Sequence, residues 1–433
     1  MPDREKILKH HLYDLRMFSY RIQYNTTAAA ANAIPTALNG NLRQPLRSEF
    51  KTETLIKNFS DLKVGVIHMC KNSCCAFDGP FANKDHCPFC KHPRRNRKKL
   101  PYKTFQPIPL IPRLQAMYAN PNMANAMRYR ADYHKESEDT QPEANTDLPP
   151  PPPSPPTSLP HSTATPDVSP LRDIFDGQHY RRLCQEWVSI PSENGEDFTT
   201  LQHLYFQDKR DVALGFALDG FTFYETLGKS AQKTKYNTWS LILINYNLDP
   251  TIRTHRKHVL PLGMVPGPGS PKHIGSFLYC LRRELIMLAQ GVSTYDRVNH
   301  QYFLLRAFLI LIIGDMPAIA HIMDMKGHIG KSPCRACLVT GKRDRTNNIS
   351  KIHYPVHTDS NHQVRHNIQE LLNTPRTHQS FYDLAIQIVE AETLAGADAQ
   401  WTHTGLNLMS VLWGLPGTSL STHYDAPDLL TRY

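Results

Sequence analysis

Four cysteines near residue 80 constrain the folding of this chain more than any other feature. Cys70, Cys74, Cys87 and Cys90 have the spacing C-x3-C-x12-C-x2-C. Two close pairs joined by a short loop can place four thiolates tetrahedrally, the arrangement that zinc takes in structural sites. The spacing predicts a small module that folds around one Zn2+, with Cys75 as a spare thiol. The alternative is a group of buried thiols that pair only in the sequence.

A dense run of positive charge follows the last of these cysteines. The sequence KHPRRNRKK supplies six cationic residues in nine positions: Lys91, Arg94, Arg95, Arg97, Lys98 and Lys99. Such clusters contact phosphate groups or serve as nuclear-import signals, and a rigid neighbouring module reduces the entropy lost on docking. The formal net charge of +10 also favours a polyanionic partner. A solvated loop without a partner is the alternative.

Proline divides the chain into two parts. Eight of its 34 prolines lie between Pro149 and Pro160, within a stretch that is also rich in Glu, Ser and Thr. This composition predicts a linker. The resulting domain boundaries are 1–60 for a poorly defined N-terminal region, 64–134 for the zinc-binding basic module, 135–170 for the linker and 171–433 for the remaining core. Within the first region we predict an amphipathic helix and a tract of turn character over Asn25–Asn32.

Short apolar runs alternate with turn residues after the linker. Four of them predict buried strands: Val212–Leu218, Trp239–Asn245, Val259–Val265 and Ala307–Ile313. A helix is predicted over Pro271–Gln290, because apolar residues recur there at helical spacing, and a short helix over Pro317–Lys326. The order strand, strand, strand, helix, strand, helix predicts an α/β domain.

Neither a membrane span nor a secretion signal is expected. The longest apolar stretch, Ala307–Ile313, is seven residues long, far below the ~20 residues that cross a bilayer. The first residues are charged and have no apolar core of a signal peptide. We therefore expect a reducing compartment, where the nine cysteines are thiols or metal ligands.

Two of the predicted strands end at an aspartate. Asp219 follows the first apolar run and Asp315 follows the fourth. Neighbouring carboxylates of this kind can hold Mg2+, and a pair of ions can activate a hydroxyl and stabilise the leaving oxygen in phosphoryl transfer. The alternative is a turn or helix N-cap, the commoner role of an aspartate after a strand.

A second cysteine and histidine pattern lies at about 328–357. Its spacing is that of a structural zinc site with these ligands: Cys334, Cys337, His353 and His357. His328 and His321 are alternative ligands. Exposed loop histidines are the competing interpretation, since the chain has 22 histidines.

Seven segments of the chain carry a family resemblance. They are MCKNSCCAFDGPFANKDHCPFCKHPRR, FQPIPLIPRLQAMY, IFDGQHYRRL, ALDGF, VPGPGSPKH, IGDMPA and SPCRACLVTG. Their order over roughly 64–415 resembles the transposases of CACTA (En/Spm-type) DNA transposons, in the form common in fungal genomes. The resemblance implies an RNase H-like mixed-sheet core whose DDE acids bind two metal ions, Mg2+ or Mn2+. Asp219 matches the first acid and Asp315 the second, on neighbouring strands.

The resemblance also predicts an incomplete core. The family pattern continues with an aspartate-methionine-histidine motif and a third acid after the region that matches Gly405–Leu420. This sequence departs from the pattern near Thr422, so we expect a C-terminally truncated transposase that does not carry out strand transfer. Candidates for the third acid are only nominal: Glu390, Glu392 and Asp425.

Three hypotheses for the function follow. The first is a metal-dependent DNA transposase that cleaves DNA at transposon ends and transfers the strand. The second is a catalytically inactive, domesticated or degenerate DNA-binding zinc protein. The third is a zinc-stabilised scaffold for protein interactions. For the first two we expect DNA as partner and the nucleus as location, with self-association left open.

Overall fold

The computed structural model divides the chain into two compact units, Met1–Gly65 and Val66–Tyr433. The residues that it describes are 9–24, 26–38, 46–59, 62–133, 171–191, 198–227, 233–327, 330–332, 334–335, 342–344, 351–353, 376, 378–389, 391, 393–406 and 410–417. The predicted linker, 135–170, lies outside these residues.

Three helices lie in the described residues of the first unit. They are α1 (Lys9–Tyr24), α2 (Ala28–Leu38) and α3 (Glu49–Phe59). The tract Asn25–Asn32, predicted to have turn character, enters α2 at Ala28. Alanine has the highest helix propensity, and α2 begins with four alanines in succession.

The second unit begins with a short antiparallel pair, β1 (Ile67–Met69) and β2 (Lys103–Phe105). The four clustered cysteines lie between these strands. Three helices follow: α4 (Ile111–Ala119), α5 (Pro121–Ala126) and α6 (Tyr129–Asp132). The carboxylate of Glu284 accepts hydrogen bonds from the first amides of α4, at Leu110 and Ile111. This contact fastens the segment after β2 to the rest of the unit.

A four-stranded mixed sheet forms the centre of the second unit. Its strands are β5 (Val212–Leu227), β6 (Lys233–Asn245), β7 (Leu260–Pro266) and β10 (Ala307–Ile313), in the order β10-β5-β6-β7. β10 runs parallel to β5, whereas β6 pairs antiparallel with β5 and β7. The four predicted strands are confirmed, and the first and fourth are neighbours.

β5 and β6 extend beyond the two outer strands. Their pairing continues to Leu227 opposite Lys233, whereas β10 pairs with β5 only as far as Ala217. The prediction stopped at Leu218 because the apolar run ends there. The following residues mix polar side chains with aromatic ones, so the extension has no continuous apolar run by which to predict it.

Apolar residues cover both faces of the sheet. Leu214 and Phe216 of β5 belong to the larger core, together with residues of β1, β2 and α4. Ala213 faces the opposite side and packs in a second cluster. That cluster also contains residues from α7 (Gln178–Leu183) and from the antiparallel pair β3 (Trp187–Pro191) and β4 (Phe198–Leu204).

The predicted helix over Pro271–Gln290 is divided into two parts. A 3-10 turn, Ile274–Phe277, precedes α9, Tyr279–Gln290. The backbone amides of Lys272 and His273 both donate to the carbonyl of Cys74. His273 has an extended backbone, and its side chain caps the turn by accepting a hydrogen bond from the Ser276 amide, so the regular helix begins only after the turn.

The remaining elements complete the description of the second unit. They are α8 (Pro250–Arg253), the hairpin β8 (Val292–Asp296) and β9 (Gln301–Leu305), α10 (Met316–Ile322), the pair β11 (Lys342–Asp344) and β12 (Lys351–His353), α11 (His378–Val389) and α12 (Leu394–Thr404). α10 overlaps the predicted helix Pro317–Lys326 but begins one residue earlier, with Asp315 as its N-cap, and ends four residues earlier. None of the helices in the described residues has the length and apolar character needed to cross a membrane.

Candidate functional site

The predicted zinc ligands converge on one point. The sulfur atoms of Cys70, Cys74, Cys87 and Cys90 all lie within 4.8 Å of one another. Four thiolates bound at ~2.3 Å around a tetrahedral ion would lie about 3.8 Å apart. The first three side chains are buried and the fourth is exposed. The donor set and its dimensions are consistent with a structural zinc site.

Two tight turns bring these cysteines together. The amide of Ser73 donates to the carbonyl of Cys70, and the amide of Lys91 donates to the carbonyl of Cys87, both at 2.9 Å. Ser73 and Lys91 have positive φ angles of 63° and 59°. Each short cysteine pair therefore closes through a turn, and the pairing does not depend on distant parts of the chain.

The protonation of the thiols differs within the cluster. Burial raises the pKa of Cys70 to about 11 and raises the pKa of Cys74 still further. Burial also acts upward on the pKa of Cys90, but hydrogen bonds from the His92 amide and from neighbouring groups outweigh it and lower the value to about 6. Thiolate is the form that binds metal, so Cys90 is the ligand most ready to bind at neutral pH.

Cys75 lies beside the cluster but outside the group of four. Its sulfur atom is 3.9 Å from the sulfur of Cys87, and its side chain is fully buried. The backbone of Cys75 also stabilises the module, because its carbonyl accepts a hydrogen bond from the Cys70 amide. This position fits a packing role.

The basic segment Lys91–Lys99 is part of the folded module. Arg94 is half-buried: its guanidinium donates to His68 Nδ1 and to the Ala82 carbonyl and lies 4.9 Å from the centre of the Phe77 ring. Lys91 Nζ donates to the carbonyl of Pro88. The members of the segment with exposed side chains are Lys91, Arg95, Arg97, Lys98 and Lys99. The segment thus presents most of its charge from a fixed backbone, while Arg94 holds the module together.

The two predicted catalytic aspartates lie where the pairing of the parallel strands β5 and β10 ends. Asp219 lies within β5, which continues to Leu227, and Asp315 follows β10 by two residues. Ala217 of β5 pairs with Ile313 of β10, and each aspartate follows its strand residue by two positions. The backbones stay close there: a Cβ added to Gly314 would lie 3.3 Å from the carbonyl oxygen of Leu218. Adjacent strands are about 4.8 Å apart. The backbones of Asp219 and Asp315 therefore lie close together where β10 ends beside β5, and both residues are exposed.

Asp315 has a structural partner in addition. Its Oδ1 atom accepts a hydrogen bond of 2.8 Å from the Ala318 amide, so the carboxylate caps α10. The alternative role predicted for an aspartate after a strand, that of a helix N-cap, is thus present at Asp315. A capping carboxylate keeps a second oxygen, so the cap and a cation contact are compatible.

A histidine on α10 lies in the field of this aspartate. Burial lowers the pKa of His321; Lys272 acts in the same direction and Asp315 acts against them. The His321 ring packs edge-on against Trp239, with ring centroids 5.4 Å apart. Trp239 in turn lies against Gly220, the residue after Asp219: a Cβ added to Gly220 would meet Trp239 Cε2 at 2.9 Å.

Several predicted site residues cannot be placed. The proposed ligands Cys337 and His357, the alternative ligand His328 and the nominal third acids Glu390, Glu392 and Asp425 lie outside the described residues. Cys334 is half-buried, and His353 ends β12. The second zinc site therefore stays a prediction. Within the described residues, neither Asp219 nor Asp315 belongs to a group of three or more candidate metal ligands.

The sequence analysis missed a half-buried acid, Asp324, that follows α10. Burial raises the pKa of Asp324 to about 7. Asp324 follows α10, has a φ angle of 54°, and places Oδ2 3.8 Å from Nε2 of His273. Burial also lowers the pKa of His273. The motif VPGPGSPKH ended at this histidine, but nothing in its spacing indicated the partner.

Comparison with known families identifies part of the chain. Residues 189–380 match the family model described as Transposase family tnp2. The matched region runs from β3 into α11 and includes the central sheet with Asp219 and Asp315. A search of curated proteins gives no significant match. The matched residues, rather less than half of the chain, are thus similar to a transposase family.

Proposed function

We propose that this protein is a CACTA-type transposase, or a derivative of one, that binds DNA and holds divalent cations at the end of its central sheet. The observation that carries the proposal is the position of Asp219 and Asp315, each two residues beyond the last pair of the neighbouring parallel strands β5 and β10, within the region matching the tnp2 family. The order β10-β5-β6-β7, with β10 parallel to β5, supports an RNase H-like core.

The chemistry of the two aspartates suits Mg2+ or Mn2+. Both ions prefer oxygen ligands, and an exposed pair of carboxylates leaves coordination positions open for a phosphate. A divalent cation bound there would stabilise negative charge on a phosphodiester undergoing hydrolysis or transfer. Asp219 and Asp315 would hold and orient the cation. The α10 cap would keep Asp315 in one rotamer.

The cysteine module supplies a different function. We propose one Zn2+ at Cys70, Cys74, Cys87 and Cys90, as a structural ion closed off by four protein ligands. The exposed cations that follow would contact DNA phosphates without sequence preference. The same segment would act as a nuclear-import signal. The protein would self-associate on DNA, because a transposase joins two transposon ends.

A cleavage assay tests the enzymatic part of the proposal. Supercoiled plasmid is incubated with the purified chain and Mg2+ or Mn2+, beside Asp219→Asn as a matched variant. Metal-dependent nicking that disappears in Asp219→Asn would support an active transposase core. DNA binding without nicking would favour the second function, a DNA-binding zinc protein. No binding to DNA at low salt would contradict both.

The salt dependence of DNA affinity tests the basic segment. Arg97 is exposed, whereas Arg94 has partners inside the module. Each phosphate contact changes the slope of log K against log salt by ~0.9. Arg97→Ala should therefore flatten the slope by about one contact at unchanged stability. Arg94→Ala should instead destabilise the module, and the opposite pattern would show that the wrong arginine was assigned to DNA.

A further inference from the structure

The cysteine module has an extensive interface with the segment that connects β7 to α9. The hydroxyl of Ser73 donates to the carbonyls of Pro266 and Gly267, both at 2.6 Å. The ammonium of Lys103 donates to the same two carbonyls. Ser73 lies between two metal-ligating positions, so the cluster is tied directly to the end of a central strand.

Further contacts join the module to the start of α9. The amide of Ala76 donates to Ser276 Oγ at 2.9 Å. Asp78 forms a bidentate ion pair with Arg283, with N···O distances of 3.2 and 2.8 Å. Gly79 lies so close to the Tyr279 ring that an added Cβ would come within 2.4 Å of it. The module therefore packs against α9 with its backbone as well as its side chains.

A short chain of contacts leads from a metal ligand to the carboxylate end of the sheet. The carbonyl of Cys74 accepts hydrogen bonds from the amides of Lys272 and His273, at 2.9 and 3.0 Å. The His273 ring lies 3.8 Å from the carboxylate of Asp324. Asp324 follows α10 by two residues, and α10 begins at the cap formed by Asp315.

We infer that the four-cysteine module is a brace for the catalytic end of the sheet: metal binding at the cysteines holds residues 266–283 in place, and through them α10 and Asp315. Without the ion, the turn that presents the Cys74 carbonyl loses its anchor. The segment Lys272–His273 then loses its two hydrogen bonds, and α10 loses the contact at its C-terminal end. This inference rests on the zinc site and on the role of Asp315 proposed above.

The experiment is hydrogen exchange on the full chain, with zinc bound and after removal by a chelator. Neither DNA nor a catalytic cation is needed, so the result is independent of the cleavage assay. We expect protection to fall within the module and also by about tenfold in residues 316–324. A loss of protection confined to the module, with residues 266–283 and 316–324 unchanged, would overturn the inference.

If the metal-free chain unfolds, a variant that keeps all four cysteines and the zinc tests the same inference. Asp78→Asn removes the ion pair with Arg283, and Asp85→Asn is its control, because Asp85 is exposed on the same module. With one zinc bound in each, Asp78→Asn should raise exchange in residues 316–324 roughly threefold over the control. Equal hydrogen exchange of residues 316–324 in the two variants would overturn the inference.

Discussion

The sulfur cluster and the carboxylate pair are two candidate metal sites built in opposite ways. The four cysteines lie within 21 positions of sequence, and three of them are buried. Asp219 and Asp315 are separated by 96 positions and both are exposed. Local turns assemble the first site, whereas the topology of the sheet assembles the second.

This difference corresponds to what each site can do. Four protein ligands fill the coordination of a zinc ion and leave no position for a substrate. Two carboxylates at an exposed strand end leave most positions of a Mg2+ ion open. Burial makes the first site a source of stability, and exposure makes the second available to DNA.

The largest expected effect concerns the sulfur cluster. Cys87 and Cys75 are both fully buried, with sulfur atoms 3.9 Å apart, so they form a matched pair. Cys87→Ser should abolish zinc binding and lower the free energy of unfolding by more than about 4 kcal/mol. Cys75→Ser should keep one zinc and cost about 1 kcal/mol. Metal analysis with thermal unfolding measures both, and zinc loss in Cys75→Ser alone would exchange their roles.

The second effect concerns Asp324, which lies between the two sites. Its pKa is raised from 3.8 to about 7 by burial, so the folded state binds a proton that the unfolded state releases. Stability from this group is complete below about pH 4 and is lost as the pH rises to about 7, by up to about 4 kcal/mol. Burial lowers the pKa of His273 below 6.5. This group therefore lowers the stability of the folded state as the pH falls below about 6.5, the opposite direction to Asp324.

Denaturant unfolding between pH 4 and pH 8 measures this contribution. Asp324→Asn removes the titrating carboxyl and keeps its shape, so the fall in stability with rising pH should become smaller than in the unchanged chain. Because His273 lies 3.8 Å from this carboxylate, His273→Gln with and without Asp324→Asn separates its contribution from that of Asp324. Parallel pH profiles for the two proteins would contradict the assignment to Asp324.

The third effect concerns the residue that follows Asp219. A Cβ on Gly220 would approach the Trp239 ring to 2.9 Å, whereas a Cβ on Gly269 would meet no atom within 4 Å. Gly220→Ala should therefore destabilise the sheet by about 1–3 kcal/mol, and Gly269→Ala should be nearly neutral. Thermal unfolding measures both changes. Equal stability of the two variants would show that Trp239 moves aside without cost.

The smallest effect separates the two aspartates from each other. Asp315 caps α10, so Asp315→Ala should cost about 1 kcal/mol, whereas Asp315→Asn should keep most of the cap. Asp219→Asn removes only an exposed charge and should change stability by less than about 0.5 kcal/mol. Denaturant unfolding measures the three variants. A large loss of stability in Asp219→Asn would indicate a structural role for that carboxylate.

Sequence patterns predicted those parts of the molecule that depend on local spacing. The four central strands and the group of four cysteines were predicted from apolar runs and from C-x3-C and C-x2-C pairs. The adjacency of the first and fourth strands came from the family resemblance, because spacing along the chain does not determine the order of strands in a sheet.

Contacts across long sequence distances were not predictable. The amides of Lys272 and His273 donate to the carbonyl of Cys74, and no local pattern indicates these hydrogen bonds. Arg94 looked like the other cations of its segment, yet the Phe77 ring and the Ala82 carbonyl engage it. In each case folding brings the partner close, and the sequence around the residue does not indicate which partner it will contact.

The interface between the cysteine module and the end of β7 also bears on the order of folding. Ser73 and Pro266 are 193 positions apart, and a ribosome adds ~5–20 residues per second. β2 closes the module at Phe105, 161 positions before Pro266, so the module is complete about 8–32 s before its partner segment exists. Local turns allow it to capture zinc during that interval. It would then present a finished surface on which the later strands and α9 can assemble.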